Sequence, residues 1–304
     1  MYKYLITIII SLLIYPLQAC DVCGISTGFN SLGQINTLSR QYLLLESQYI
    51  SFKHPATIGK PTSSDQIYSQ QFHYSWRPDS LQKLQIIANI SQKTINRKNV
   101  YSVNPNYTIT GIGDIFIRGI YSLYDNRNYI LDNQLKKVLF LQGGIRIPNG
   151  KYQLRGAEKE QLPMHLQPGN GSWQTEFGFS TFIRKRNLGL QLSNLTTLSG
   201  SNELTYQLGP RNSNTAAFFY NHSNEKQTII PQIVFQFDWL SGDKQYSVPV
   251  AETRASLTRI GIQIDYVKKS TYVKIRWDKP VWQSISLLAP QPQNGFSISA
   301  GKLI

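Results

Sequence analysis

The feature that most constrains the fold of this chain is a strict alternation of apolar side chains with polar or small ones. Successive side chains of a β-strand point to opposite faces, so a period of two predicts strands with one apolar and one polar face. The clearest example sets Ile260, Ile262, Ile264 and Tyr266 against Arg259, Gly261, Gln263 and Asp265. The same pattern recurs in residues 68–77, 139–147, 176–184, 233–239 and 273–277.

Weaker alternation marks six further segments, residues 44–52, 84–90, 115–123, 188–192, 216–221 and 296–303. Together these segments predict about twelve strands, many of them followed by turn-forming Asn, Asp, Gly or Lys residues. The 18 Tyr, 13 Phe and 5 Trp residues also favour strands over helices. Since no Pro/Ser-rich linker, composition break or repeat of fixed period interrupts the chain, residues 41–304 are predicted to form one domain.

The N-terminal segment has the organisation of a secretory signal peptide. Lys3 precedes an almost unbroken apolar run from Tyr4 to Tyr15, and the small residue Ala19 stands before the expected cleavage point. The run is shorter than the roughly 20 residues that span a bilayer as a helix, although an uncleaved anchor remains the alternative. The expected organisation is therefore a signal peptide over residues 1–19, an N-terminal segment over residues 20–40, and the β-domain.

The composition of the two strand faces distinguishes a membrane barrel from a soluble β-protein. The polar faces are rich in Ser, Gln, Asn and Gly with mixed charges, as suits a crowded, wet lumen, whereas soluble strands favour Lys and Glu. The apolar faces of the clear segments carry no charge, and a midplane Arg or Lys facing lipid would cost about 2–4 kcal/mol. Export and this pattern predict an all-β fold, a transmembrane antiparallel β-barrel of about twelve strands in a Gram-negative outer membrane. A soluble exported β-sandwich is the alternative.

The net charge of +14 would suggest a nucleic-acid partner in a cytosolic protein. Export argues against nucleic acid here, and the basic residues do not form one patch. Basic turns such as those at Lys185–Arg186 and Lys268–Lys269 suit an anionic lipid surface, and basic inward positions suit anionic solutes. The expected partners are therefore outer-membrane lipid, a small solute and the machinery that assembles barrels.

Several charged residues fall on the predicted inner face of the strands. Arg118, Arg146, Arg184, Arg259, Lys274 and Arg276 have acidic neighbours in Asp114, Glu176, Asp238 and Asp265. Such side chains either tune the ion selectivity of an open lumen or pair across a narrow lumen and plug it, and both alternatives stay open. The candidates for lumen selectivity are Arg118, Arg146, Glu176, Arg184, Arg259 and Asp265.

Cys20 and Cys23 are the only cysteines of the chain and form a C-x-x-C pair. In an oxidising compartment such a pair closes a disulfide, takes part in redox chemistry or supplies two soft metal ligands. The sequence Leu17-Gln18-Ala19-Cys20 also resembles a lipobox, which would make Cys20 a lipidated N-terminus. Two thiolates do not complete a tetrahedral site, and the four histidines show no ligand spacing. These alternatives stay open.

Four motifs carry a resemblance to a known family. They are Cys20-Asp21-Val22-Cys23-Gly24, Gly111-Ile112-Gly113-Asp114-Ile115, the segment 144–151 with sequence GIRIPNGK, and the segment 162–173 with sequence LPMHLQPGNGSW. In this order they resemble outer-membrane transporters grouped with the meta-pathway of phenol degradation, in the branch whose mature N-terminus carries Cys-Asp-Val-Cys-Gly. The resemblance implies a β-barrel with a transport role and assigns no solute.

Segment 162–173 is predicted to be a loop because it contains two prolines and two glycines among polar residues. In a barrel it either folds inward as a constriction, with His165 and Gln167 touching solute, or forms a rigid turn that places Trp173 at the membrane interface. Both alternatives stay open.

The predicted function is therefore an outer-membrane transporter or channel for a small solute, of anionic or aromatic character, without a cofactor. An enzyme is not expected, since no H-E-x-x-H motif occurs and His73 is predicted to be a polar lumen residue. The alternatives are an exported surface or periplasmic β-protein that acts as a binding or structural module and, behind it, an outer-membrane enzyme.

Overall fold

The structure is a computed structural model that describes residues 41–54, 63–78, 83–99, 107–127, 134–155, 164–251, 253–285 and 291–304. Twelve long antiparallel strands dominate these ranges, and one of them, β4, consists of two segments. The strands are β1 (Tyr42–His54), β2 (Ser63–Trp76), β3 (Leu84–Asn99), β4 (Tyr107–Ile112 and Ile115–Asp125), β5 (Leu135–Ile147), β6 (Gln174–Lys185), β7 (Leu188–Ser199), β8 (Arg211–Tyr220), β9 (Gln227–Leu240), β10 (Ala255–Lys268), β11 (Thr271–Ser284) and β12 (Gln291–Leu303).

The twelve strands close into a barrel. Each strand pairs with its neighbour in the sequence, and β12 returns to pair with β1, where Tyr42 lies opposite Leu303 and Tyr49 opposite Phe296. Closure satisfies the backbone hydrogen bonds of the first and last strands, so the sheet has no free edge. The prediction of an antiparallel barrel of about twelve strands is confirmed.

The two faces of the barrel have inverted polarity compared with a soluble protein. On β9, Ile233 and Phe235 point outward with 51% and 41% of their surface exposed, whereas Gln236 and Asp238 point inward and are 1% and 2% exposed. Apolar side chains that face outward suit lipid, and polar side chains then fill the interior. Among the described residues, no helix is long and apolar enough to cross a membrane.

The two ends of the barrel differ in their connections. Tight turns join β6 to β7 at Arg186 and β10 to β11 at Lys269, both of which have positive φ. Lys185 and Lys268, which were also predicted to lie in turns, are instead the last residues of β6 and β10. This end, here called the turn end, also holds Gln41 and Ile304, whose backbones form a 2.9 Å hydrogen bond. The opposite end, called the loop end, carries the connections that span residues 148–173, 200–210 and 241–254.

Candidate functional site

The connection between β5 and β6 is called the lumen loop, and its described parts, residues 148–155 and 164–173, fold into the barrel. Its short 3-10 turn, Met164–Leu166, inserts Leu166 between inward side chains of three other strands. Leu166 is fully buried and packs with Phe52 of β1, Ile67 of β2 and Ile95 of β3. Because β5 and β6 lie several strands away from β1, the lumen loop reaches across the interior.

The carboxylate of Asp114 anchors the lumen loop. Asp114 is 3% exposed and occupies the interruption of β4. Its Oδ1 accepts a hydrogen bond from the backbone N–H of Gly150 at 3.0 Å, and its Oδ2 accepts one from the backbone N–H of Asn170 at 3.2 Å. Hydrogen bonds to a charged acceptor are among the stronger ones in proteins, so Asp114 clamps both ends of the lumen loop to β4.

Glycine makes this clamp sterically feasible. A Cβ atom on Gly150 would lie 2.6 Å from the carbonyl carbon of Gly113, and one on Gly169 would lie 2.8 Å from the carbonyl carbon of Gly150. Real Cβ atoms do not approach so closely, so these backbones meet only because the side chains are absent. The backbone N–H of Gly169 adds a 2.9 Å bond to the carbonyl of Lys151. Three motifs that are far apart in the sequence thus form one structure, called the Asp114 clamp.

Gln167, a candidate constriction residue, is buried within the lumen loop. Its side-chain amide donates to the carbonyl of Leu154 at 2.9 Å and accepts from the N–H of the same residue at 3.0 Å. Its backbone carbonyl accepts a 2.9 Å hydrogen bond from Nζ of Lys93 on β3. His165 lies in the 3-10 turn, but its side chain is outside the described part of the structure. Trp173, at the end of the loop, is 58% exposed.

A further contact joins the lumen loop to the next connection at the loop end. The hydroxyl group of Tyr152 donates to Oε2 of Glu203 at 2.6 Å. This hydrogen bond exists only when the phenol is protonated, so it raises the pKa of Tyr152.

Beside the lumen loop, the barrel holds a cavity of about 170 Å³ on the side formed by β1–β6 and β8, called the lumen cavity. Four basic residues line it, Lys93, Arg118, Arg146 and Arg211, together with two acidic residues, Asp114 and Glu176. Apolar residues form another part of the wall, namely Ile50, Phe52, Ile67, Phe116, Met164 and Leu208. Both Gln167 and Asn170 of the lumen loop contribute to the lining, so the loop narrows this part of the interior.

The basic residues of the cavity differ in their partners. Arg118 forms an ion pair with Glu176, and both are buried. Arg146 instead lies over the ring of Phe116, with 5.3 Å between its guanidinium carbon and the ring centroid. Arg118 contacts the same ring at 5.1 Å. The aromatic face attracts both cations, but it does not neutralise them.

The other side of the lumen, along β9–β11 and β1, is occupied by paired charges. Lys274 donates to Glu46 at 3.0 Å, and Arg259 donates to Asp238 at 2.9 Å. Asp265 accepts hydrogen bonds from Gln232 at 2.6 Å, from Gln263 at 2.9 Å and from Tyr272 at 3.1 Å. Charges buried to this degree require such partners, so these residues fill the lumen instead of exposing free charge to it.

Apolar side chains fill the lumen at the turn end and are called the apolar layer. They include Phe182 and Phe219, which stack with ring centroids 4.8 Å apart. The layer consists of Tyr42, Leu44, Ile87, Phe116, Ile120, Val138, Phe140, Phe182, Phe219, Ile230, Val267 and Tyr272. Phe116 belongs to both the layer and the wall of the lumen cavity, so the layer forms the floor of that cavity.

The structure thus separates the charged candidates named from the sequence. Arg118 and Glu176 form one pair, Arg259 lies in the paired side of the lumen, and Arg146 lines the cavity. Arg184 follows Phe182 on β6 and therefore lies at the turn end, beyond the apolar layer.

Sequence reasoning missed Lys93, Arg211 and Phe116. Alternation predicts only residues 216–221 of β8, whereas the strand begins at Arg211. The period of two is not visible in Arg211-Asn212-Ser213-Asn214, because the outward residues Asn212 and Asn214 are polar like their inward neighbours. The side chains of Asn212 and Asn214 form hydrogen bonds with each other and with Asn194.

Residues 1–19, the predicted signal peptide, and the cysteines Cys20 and Cys23 lie outside the described residues. So does Gly24-Ile25-Ser26-Thr27-Gly28, which has the G-x-S-x-G spacing of a serine-nucleophile motif. Within the described ranges, no group of three or more His, Cys, Asp or Glu residues is arranged to hold a metal ion.

Comparison with solved structures identifies outer-membrane barrels. An outer membrane channel from Pseudomonas putida F1 has a TM-score of 0.65 and 8% identity, over 88% of this chain and 96% of that one. The β-domain of the Bordetella autotransporter BrkA has a TM-score of 0.50 and 8% identity, over 88% of this chain and all of that one. No family model and no curated protein sequence matches the chain. At this identity the similarity establishes the fold, which is that of outer-membrane barrels.

Proposed function

We propose that this protein is a channel of the Gram-negative outer membrane that admits a small solute into its lumen from the loop end. The observation that carries the proposal is the lumen cavity, which lies beside the lumen loop and borders the apolar layer at Phe116. The outward apolar face supports a position of the barrel in lipid, and the fold resembles that of an outer membrane channel.

The connections give the orientation. Outer-membrane barrels have short periplasmic turns and longer extracellular loops, so the loop end faces outward and the turn end faces the periplasm. The lumen cavity is then the first compartment for a solute that passes the lumen loop. Further passage requires the apolar layer to open, because packed side chains occupy the lumen there.

We also propose membership of the outer-membrane transporters grouped with the meta-pathway of phenol degradation. The Asp114 clamp supports this assignment, because it joins three of the four motifs that carry the resemblance. Because the three motifs together hold one loop in the lumen, a barrel with this loop would need all three of them, in the same order along the chain. Export by the N-terminal signal peptide and assembly by the barrel-assembly machinery complete the proposal.

Two measurements test this function. Purified outer membranes are analysed for heat-modifiable mobility on gels, and a barrel in that membrane migrates faster before boiling than after. Liposomes that contain the purified protein are then tested for swelling in small solutes, with empty liposomes as the control. Swelling above the control supports a channel. Heat-modifiable protein without swelling contradicts it and favours a binding or structural module.

A further inference from the structure

Among the residues that the structure describes, four basic side chains and two acidic side chains line the lumen cavity, so its described wall has an excess of positive charge. Arg118 is paired with Glu176, and the carboxylate of Asp114 is satisfied by two backbone N–H groups. In the part of the chain that the structure describes, no hydrogen bond or ion pair joins the side chain of Arg146 or Arg211 to another residue, although both backbones pair within the sheet.

The basic residues of the cavity also act on one another. The charge of Arg146 is attracted by Asp114 and Glu176 and repelled by Arg211 and Arg118. Like charges held together in a partly desolvated space raise the energy of the unliganded state. A bound anion removes this repulsion, whereas a bound cation increases it.

Arginine suits one type of anion in particular. The planar guanidinium group offers N–H donors in a fork that matches the two oxygens of a carboxylate. Arg146 lies over Phe116, and this contact involves the face of the guanidinium group and not the N–H donors at its edge. Its geometry is therefore compatible with an anion within the cavity.

The remaining wall suits an apolar body. Phe52 and Ile67 are 3% and 6% exposed, and with Ile50 and Phe116 they form an apolar surface of the same cavity. An inorganic ion would leave this surface in contact with water. An apolar cavity of about 150 Å³ in another protein holds one benzene molecule, so about 170 Å³ is sufficient for a single ring.

We propose that the lumen cavity is a binding site for a small organic anion with an apolar body, of the class of monocyclic carboxylates. Arg146 and Arg211 bind the carboxylate, and Phe116 with the aliphatic side chains contacts the body. The inference rests on the proposed channel function for the route by which the ligand enters, but binding is measured separately.

The test is calorimetric titration of the purified full-length protein in detergent with benzoate. Benzyl alcohol serves as the neutral probe of similar shape, and acetate serves as the anion without an apolar body. Benzoate is expected to bind at least tenfold more tightly than either. Arg146→Gln and Arg211→Gln are each expected to weaken benzoate binding about tenfold or more, because a charged hydrogen bond is lost.

The control variant is Arg186→Gln, which removes an arginine from a turn outside the lumen and leaves benzoate binding unchanged. Heat-modifiable mobility shows that each variant is folded. The site is refuted by absent benzoate binding, by equal binding of benzyl alcohol, or by unchanged affinity in both lumen variants. If the binding site is refuted in this way but liposomes still swell in neutral solutes, the proposed channel function is retained. If benzoate binds but liposomes do not swell, the binding site is retained and the channel function is refuted.

Discussion

Replacement of Asp114 by alanine tests whether the lumen loop controls access to the lumen. The carboxylate holds the backbone N–H groups of Gly150 and Asn170 at 3.0 and 3.2 Å. Alanine removes both acceptors and leaves the loop attached through the apolar contacts of Leu166 and the bond between Lys93 and Gln167. The 3.1 Å hydrogen bond from the backbone N–H of Lys151 to the carbonyl of Ile112 also remains. We expect the loop to leave its docked position more often.

The magnitude follows from the two lost hydrogen bonds. A buried donor left without its acceptor costs about 1–3 kcal/mol, so two such groups cost roughly 3 kcal/mol in all. Since 1.4 kcal/mol corresponds to a factor of ten, the ratio of undocked to docked loop rises about a hundredfold. This loss affects the free energy of loop docking and not the stability of the barrel, because the pairing of the strands does not involve the Asp114 side chain.

Single-channel recording in planar bilayers measures this equilibrium. Asp114→Ala is expected to show more frequent or longer states of high conductance than the wild type, and Asp114→Asn, which retains one acceptor oxygen, a smaller increase. Asp125→Ala is the matched control, because Asp125 forms an ion pair with Arg127 near the turn end and does not contribute to the Asp114 clamp.

Two results would refute this reasoning. If Asp114→Ala keeps the conductance pattern of the wild type while its heat-modifiable mobility is unchanged, the clamp does not limit access. If instead the variant fails to form a barrel, Asp114 is needed for folding, and the assigned division between loop and barrel is incorrect.

Three further predictions concern the lumen residues. Lys274→Met should lower the free energy of unfolding by about 3–5 kcal/mol, because it leaves Glu46 buried without its ion-pair partner. In urea unfolding in detergent, the double variant Lys274→Met/Glu46→Leu should recover much of that loss, and equal losses in the single and double variants would contradict the pairing. Reversal of Arg146 to Glu should lower any anion preference more than reversal of Arg184, which lies beyond the apolar layer, and an unchanged reversal potential for Arg146→Glu would exclude it from the path. Gly150→Val should release the lumen loop as Asp114→Ala does, since no space exists for a side chain, and wild-type conductance in that variant would argue against the close backbone contact.

The sequence alone was sufficient to predict the all-β barrel and the direction in which its side chains point. Alternation in residues 260–266 assigns Ile262 to the lipid face and Gln263 to the lumen, and both assignments agree with their exposure of 55% and 1%. Such local patterns are sufficient to assign the two faces, because a strand has only two of them and a shift by one residue would place every polar side chain in lipid.

The partners of the inward charges depended on tertiary structure. Arg118 and Glu176 are 58 residues apart, and Lys274 and Glu46 are 228 residues apart, so no local pattern joins them. The second pair forms only because β12 closes the barrel against β1 and brings β11 near the first strand. The sequence identified charged candidates, but it did not distinguish the paired Arg118 from Arg146, which has no ion-pair partner among the described residues.

Composition identified residues 162–173 as a loop, but only packing decided where that loop lies. Its course depends on the packing of Leu166 against Phe52, Ile67 and Ile95. It also depends on two glycines, because the absence of their side chains allows the loop backbone to approach Asp114. Those contacts join distant strands, and their free energy exists only after the barrel has formed. The chain by itself therefore determined a barrel with a polar interior, and the tertiary structure decided which part of that interior is filled and which part holds a cavity.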